Sequence, residues 1–161
     1  MIDAEKDVML LGGRLRESGW RMATAESCTG GLVASTLTDV SGSSDWFDGG
    51  IVAYANAVKS SLLQVPERVL ESYGAVSEET VLAMVRGARD NLGVDVAVAL
   101  SGVAGPSGGT PEKPVGTVWM AWIWPGGIMA ERFLFAGDRA GIKEQSVRAA
   151  IRGLLSVVRK S

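Results

Sequence analysis

The sequence predicts an α/β protein, a three-layer α/β/α sandwich on a mixed, mostly parallel sheet. Three observations predict it. Helical and strand patterns alternate over the first hundred residues, the order that yields parallel strands with helices on both faces. Two apolar strand candidates, 20–26 and 95–100, run directly into glycine-bearing turns. A hairpin signature, Pro125-Gly126-Gly127 between two apolar runs, then adds antiparallel strands and makes the sheet mixed.

In chain order, Val8, Leu11 and Leu15 recur at helical spacing with Leu10 adding width, so a helix is expected over 3–18, ending near Gly19. A strand over 20–26 and a helix from about 30 to 39 follow. Ser41-Gly42-Ser43-Ser44-Asp45 is a polar turn, and Trp46 and Phe47 read as packing beneath it. Gly50 to Ala55 is continuously apolar and reads as a strand buried on both faces. Asn56 then caps a helix running through Lys59, Leu62 and Leu63 to Pro66.

A short helix over 66–73 ends at Gly74. Ser77-Glu78-Glu79-Thr80 opens a stronger one, with acids in the first turn where the helix dipole favours them. Its core face is Val81, Met84, Val85 and Ala88, and Gly93 stops it. The strand 95–100 enters Ser101 to Gly109, a loop with four glycines and one proline in nine residues, built to bring backbone close to a ligand. Strands over 115–124 and 128–135 form the hairpin. From Asp138 to the end a helix buries Ile142, Val147, Ile151, Leu154 and Leu155. Residues 1–161 read as one domain, without repeats or linkers.

Composition excludes several functions. A net charge of −2 gives no basic face for nucleic acid. No apolar run reaches the ~18 residues of a membrane span, and Met1 to Asp7 is charged where a signal peptide is apolar, so a cytoplasmic protein without a membrane partner is expected. One cysteine allows neither an intrachain disulfide nor a multi-cysteine metal site. With no histidine at all, every Ser-His-Asp, Cys-His and His-metal mechanism is removed. A general base must then be a carboxylate, a lysine, a tyrosine or an activated water.

The stretch Ala25-Glu26-Ser27-Cys28-Thr29-Gly30-Gly31 joins a strand to a helix and is the centre of the candidate chemistry. Such a turn exposes a nucleophile beside helix-terminal amides. Ser27 is the favoured nucleophile, with amides of Thr29, Gly30 or Gly31 as oxyanion donors. Cys28 lacks an activating imidazole and reads as a small core residue. The competing reading makes Ser27 or Thr29 a helix cap. Lys59, early in its helix, stands at the positive end of the dipole, which lowers an amine's pKa. Tyr54 could relay a proton. Arg139 is either a phosphate or carboxylate clamp or a partner for Asp138. In open α/β sheets ligands gather at strand carboxyl ends, so these residues are expected to converge there.

Thr24-Ala25-Glu26-Ser27-Cys28-Thr29-Gly30-Gly31 resembles the signature of the C-terminal domain of the competence-damage-inducible (CinA) family. Gly42-Ser43-Ser44, Tyr54 to Lys59, Gly74 to Ser77, Ser101 to Pro106, Lys113 to Val118 and Gly137-Asp138-Arg139 agree with it, in order and across the chain. The resemblance implies hydrolysis of nicotinamide mononucleotide to nicotinate mononucleotide and ammonia, without metal or cofactor. Carried over, Ser27 is the nucleophile, Lys59 the base and Tyr54 its helper. Thr29, Gly30, Gly31 and Asn56 are expected at the substrate, with its phosphate on the Gly102–Gly109 amides (Gly102 and Gly105 among them), on Ser43 and Ser44, or on Arg139. The stand-alone form, without the molybdopterin-binding-like domain of longer members, is expected. So is a homo-oligomer such as a dimer, with Trp119, Trp122 and Trp124 either core or contact surface. The rival readings are a nucleotide-binding module without turnover and an interaction module.

Overall fold

The structure, a computed structural model, describes residues 3–159. Its centre is β1 (Met22–Glu26), whose five residues are all buried. β1 pairs in parallel with β2 (Phe47–Val52) on one side and β3 (Val96–Gly102) on the other. β4 (Thr117–Trp124) runs antiparallel to β3, and β5 (Gly127–Leu134) antiparallel to β4, in the order β2-β1-β3-β4-β5. Of these strands only β4 runs against the rest, so the sheet is mixed and mostly parallel.

The helices are α1 (Glu5–Ser18), α2 (Leu32–Leu37), α3 (Asn56–Leu63), α4 (Glu67–Tyr73), α5 (Glu78–Leu92) and α6 (Arg139–Val157). The two-residue period of a strand divides β3 between two cores. Val96, Val98 and Leu100 face α1, α2 and α6, together with Leu11, Val33, Ile142 and Ile151. Ala97 and Ala99 face α3 and α5, with Leu63, Val81, Met84 and Val85. Small side chains on that second face let α5 lie close to the sheet. At Gly87 a Cβ would collide with the carbonyl of Leu63, so α3 and α5 touch through backbone there.

Three details depart from expectation. β2 starts earlier and stops at Val52, and its burial alternates because it is an edge strand, not one buried on both faces. The apolar run Ala53-Tyr54-Ala55 belongs to the following loop. Asn56 is the first residue of α3 and makes no capping bond; the cap position is Ala55. Ser77 and Asp138 do cap, accepting from the amides of Thr80 at 3.2 Å and Gly141 at 2.9 Å. Trp122 is core, its indole donating to the Ala150 carbonyl at 3.0 Å, while Trp119 and Trp124 are half-buried. The final helix stops at Val157; its expected continuation reaches residues 160 and 161, outside the described residues. No described helix is long and apolar enough to cross a membrane.

Thr24, in the middle of β1, is fully buried and its hydroxyl has no hydrogen-bond partner among the described residues. Thr24→Val keeps the shape and removes the unpaired group, so a gain of about 1 kcal/mol is expected, read as a higher urea midpoint.

Candidate active site

The chain leaves β1 to one side for β2 and returns to the other for β3. The carboxyl ends of β1 and β3 therefore flank the switch point where open α/β sheets take ligands. A cavity of about 340 Å³ lies there, lined among others by Ser27, Tyr54, Asn56, Lys59, Gly102, Gly105 and Arg139. Those seven, distant in sequence, are all residues singled out from it. A larger groove of about 1070 Å³ adjoins between α2, α6 and the Pro106 loop, sharing Ala104 and Arg139 with the cavity wall.

Ser27 follows the last residue of β1, and its amide donates to the Leu100 carbonyl at 3.0 Å, tying the turn to β3. The Glu26 carboxylate, 1% exposed, accepts from the Thr29 hydroxyl at 2.6 Å and the Val33 and Ala34 amides at 2.8 and 3.1 Å. A buried carboxylate thus caps α2, satisfied by three donors beside the helix's positive end. Gly30 and Gly31 have φ of +61° and +103°, conformations that favour glycine, and swing the chain from β1 into α2. They shape the turn and are not among the residues lining the cavity.

One oxyanion expectation changes accordingly: the Gly30 amide donates to the Ser27 carbonyl at 3.1 Å. The Thr29 hydroxyl, on a residue expected at the substrate, is committed to Glu26. The amides of Cys28 and Thr29 are taken by no backbone carbonyl among the described residues. Cys28 belongs to the first core and also borders the cavity, and burial pushes its thiol up to about 11, which favours the protonated form at neutral pH.

Lys59 is 1% exposed, and its Nζ donates to the Tyr54 carbonyl at 2.8 Å. Among the described residues it pairs with no carboxylate. Burial lowers its pKa, because an unpaired ammonium loses its hydration there. Tyr54 is 62% exposed, and its hydroxyl accepts from Arg139 Nη2 at 3.3 Å. Arg139 Nη1 donates to the Gly105 carbonyl at 2.7 Å.

Ser43 and Ser44 are not part of this site. They lie in a 3₁₀ turn, Ser43–Asp45, that precedes β2, at the opposite edge of the sheet from its carboxyl end. There the Ser44 carbonyl accepts from Arg21 at 2.8 Å. The parallel crossover forces this, since it must return the chain to the amino edge before β2 begins. Two contributors went unnoticed in sequence, Glu26 and Ser101. An acid just before a helix start is a usable signal for the first. Ser101, buried at the end of β3, lines the cavity; its place in a glycine-rich loop concealed it. Glu26→Ala is expected to cost about 3 kcal/mol in urea unfolding by orphaning the α2 amides, with Glu26→Gln recovering part of it.

Fold and cavity place the chain among α/β/α sandwich proteins with an open cavity at the switch point of a mostly parallel sheet. The family model of the CinA C-terminal domain matches residues 5–158, and the chain belongs to that family. It is 52% identical over 147 residues to the nicotinamide-nucleotide amidohydrolase PncC of Pseudomonas putida, covering 91% of this chain and 92% of that protein. It is also 52% identical to a CinA-like protein of Akkermansia muciniphila, again over 91% of this chain; that alignment spans only 36% of the longer relative. A CinA superfamily crystal structure from Klebsiella pneumoniae superposes with a TM-score of 0.93 at 37% identity, covering 97% of this chain and 98% of that one.

Proposed function

We propose that this chain is a nicotinamide-nucleotide amidohydrolase, converting nicotinamide mononucleotide and water to nicotinate mononucleotide and ammonia in pyridine-nucleotide salvage. The PncC relative supports it over nearly the full length of both chains. The observation that carries the chemistry is the shared cavity of Ser27 and a buried, carboxylate-free Lys59 in a chain without histidine.

In the proposed mechanism neutral Lys59 takes the Ser27 proton as the oxygen attacks the carboxamide carbon. The Cys28 and Thr29 amides hold the resulting oxyanion. The tetrahedral intermediate collapses when its nitrogen is protonated from Lys59, directly or through Tyr54. Ammonia leaves, and an ester remains on Ser27. Water then attacks the ester, Lys59 takes its proton and returns one to Ser27, and the carboxylate product departs. The pyridinium of the substrate withdraws electrons from the carbonyl and assists both attacks. The Ser107–Gly108 stretch, which also lines the cavity, offers polar backbone for the phosphate. The same reading has the enzyme acting in the cytoplasm as one domain in a homo-oligomer, with no nucleic-acid or membrane partner; the charge of −2 supports the absence of nucleic acid.

The test measures ammonia from purified protein given nicotinamide mononucleotide, free nicotinamide or a non-pyridine amide. Release from the mononucleotide alone is expected. Calorimetric binding of the mononucleotide with no ammonia would instead make the domain a binding module.

A further inference from the structure

Arg139 sits where a phosphate clamp is expected, yet its hydrogen bonds go elsewhere. As the first residue of α6 it reaches the cavity wall and bridges two loops, donating to the Gly105 carbonyl and to the Tyr54 hydroxyl. Its neighbour Asp138 does not pair with it, because that carboxylate caps α6 on the Gly141 amide. Among the described residues no carboxylate neutralises the guanidinium. We propose that Arg139 is a positioning residue for the amide hydrolysis, acting through Tyr54, and not the clamp of the substrate's phosphate; this rests on the amidohydrolase reading above.

The argument is one of donors and acceptors. A guanidinium only donates, so the phenol oxygen accepts from Arg139 and its own proton must point elsewhere. Tyr54 lines the cavity, and a proton aimed there is placed for the leaving nitrogen. The contact also restrains a side chain that is 62% exposed, while Lys59 holds the same residue's carbonyl. An adjacent unpaired cation steadies the negative charge that develops on the phenol as its proton leaves. Gly105, held by the other arm, fixes the guanidinium against the β3–β4 loop.

A double-mutant cycle tests this. Arg139→Gln, Tyr54→Phe and the double variant are assayed with nicotinamide mononucleotide and with nicotinamide riboside, which lacks the phosphate. A high enzyme concentration, kept below that of the substrate, keeps slow variants measurable. Arg139→Gln is expected to lower kcat about tenfold on both substrates with KM changed less than about twofold. In the Tyr54→Phe background the same change is expected to cost less than about twofold, since the partner is already gone. A rise in KM for the mononucleotide but not the riboside, or an undiminished effect in the Tyr54→Phe background, would overturn the proposal. If Arg139→Gln fails to fold, Arg139→Lys, which keeps the charge but cannot bridge both loops, carries the same cycle. Absence of ammonia from the wild type counts against the amidohydrolase reading itself; wild-type turnover with an additive cycle counts against Arg139 alone.

Discussion

Lys59→Met is expected to lower ammonia release from nicotinamide mononucleotide by about 10³-fold or more while leaving the fold intact. Loss of a positioned general base typically costs 10²–10⁴, and the upper part of that range applies because no imidazole stands by to substitute. Methionine matches the lysine closely in length and volume, so the packing of α3 is expected to survive. The stability of the two proteins carries its own signature. Burial holds Lys59 below its ordinary value of 10.5. Below the native-state pKa both folded and unfolded chains carry the proton, and the full cost of burying the charge is present. Between that pKa and 10.5 the unfolded chain binds more protons, so wild-type stability rises with pH. The variant is therefore expected to be more stable than wild type at low pH, by a margin that narrows as the pH rises. Activity follows the same group: kcat/KM of the wild type should rise with pH as the amine loses its proton, and this limb should vanish in Lys59→Met. A variant with wild-type kcat/KM would remove Lys59 from the mechanism.

Ser27→Ala is expected to lower turnover further, by about 10⁴-fold or more, because no covalent intermediate can form without the oxygen. The neighbouring thiol borders the same cavity, but burial holds its proton and makes it a poor substitute. Binding should survive. The cavity wall keeps Tyr54, Asn56, Gly102 and Arg139, so calorimetry should return a mononucleotide affinity within a few-fold of wild type. Retained turnover in Ser27→Ala, with a folded protein, would reassign the nucleophile.

Period and punctuation made most of the fold legible. The strand before Ser27, the helix starts at Ser77 and Asp138, and the hairpin at Pro125 were readable because local chemistry and tertiary role agree there. β2 was misplaced because Ala53-Tyr54-Ala55 is apolar yet leaves the sheet, and an edge strand carries a weaker pattern than a buried one. In the site, the convergence of Ser27, Tyr54, Lys59 and the Gly102–Gly105 loop followed from the rule that ligands sit at strand carboxyl ends. Ser43 and Ser44 failed by that same rule, since they precede a strand and do not follow one. Thr29 was assigned to substrate although its hydroxyl serves the Glu26 cap; which way a side chain leaves a tight turn depends on the pleat, and composition does not record that. Burial of Lys59 was likewise invisible, because a lysine early in a helix ordinarily reaches water.

The central claim, that Ser27 is acylated with help from a neutral Lys59, is tested most directly by acid-quenching the wild type during turnover of nicotinamide mononucleotide and mapping its peptides by mass. The expected result is a nicotinate mononucleotide ester on Ser27 that hydroxylamine removes and that does not accumulate in Lys59→Met. Full-rate ammonia release with Ser27 unmodified at every quench time would contradict it.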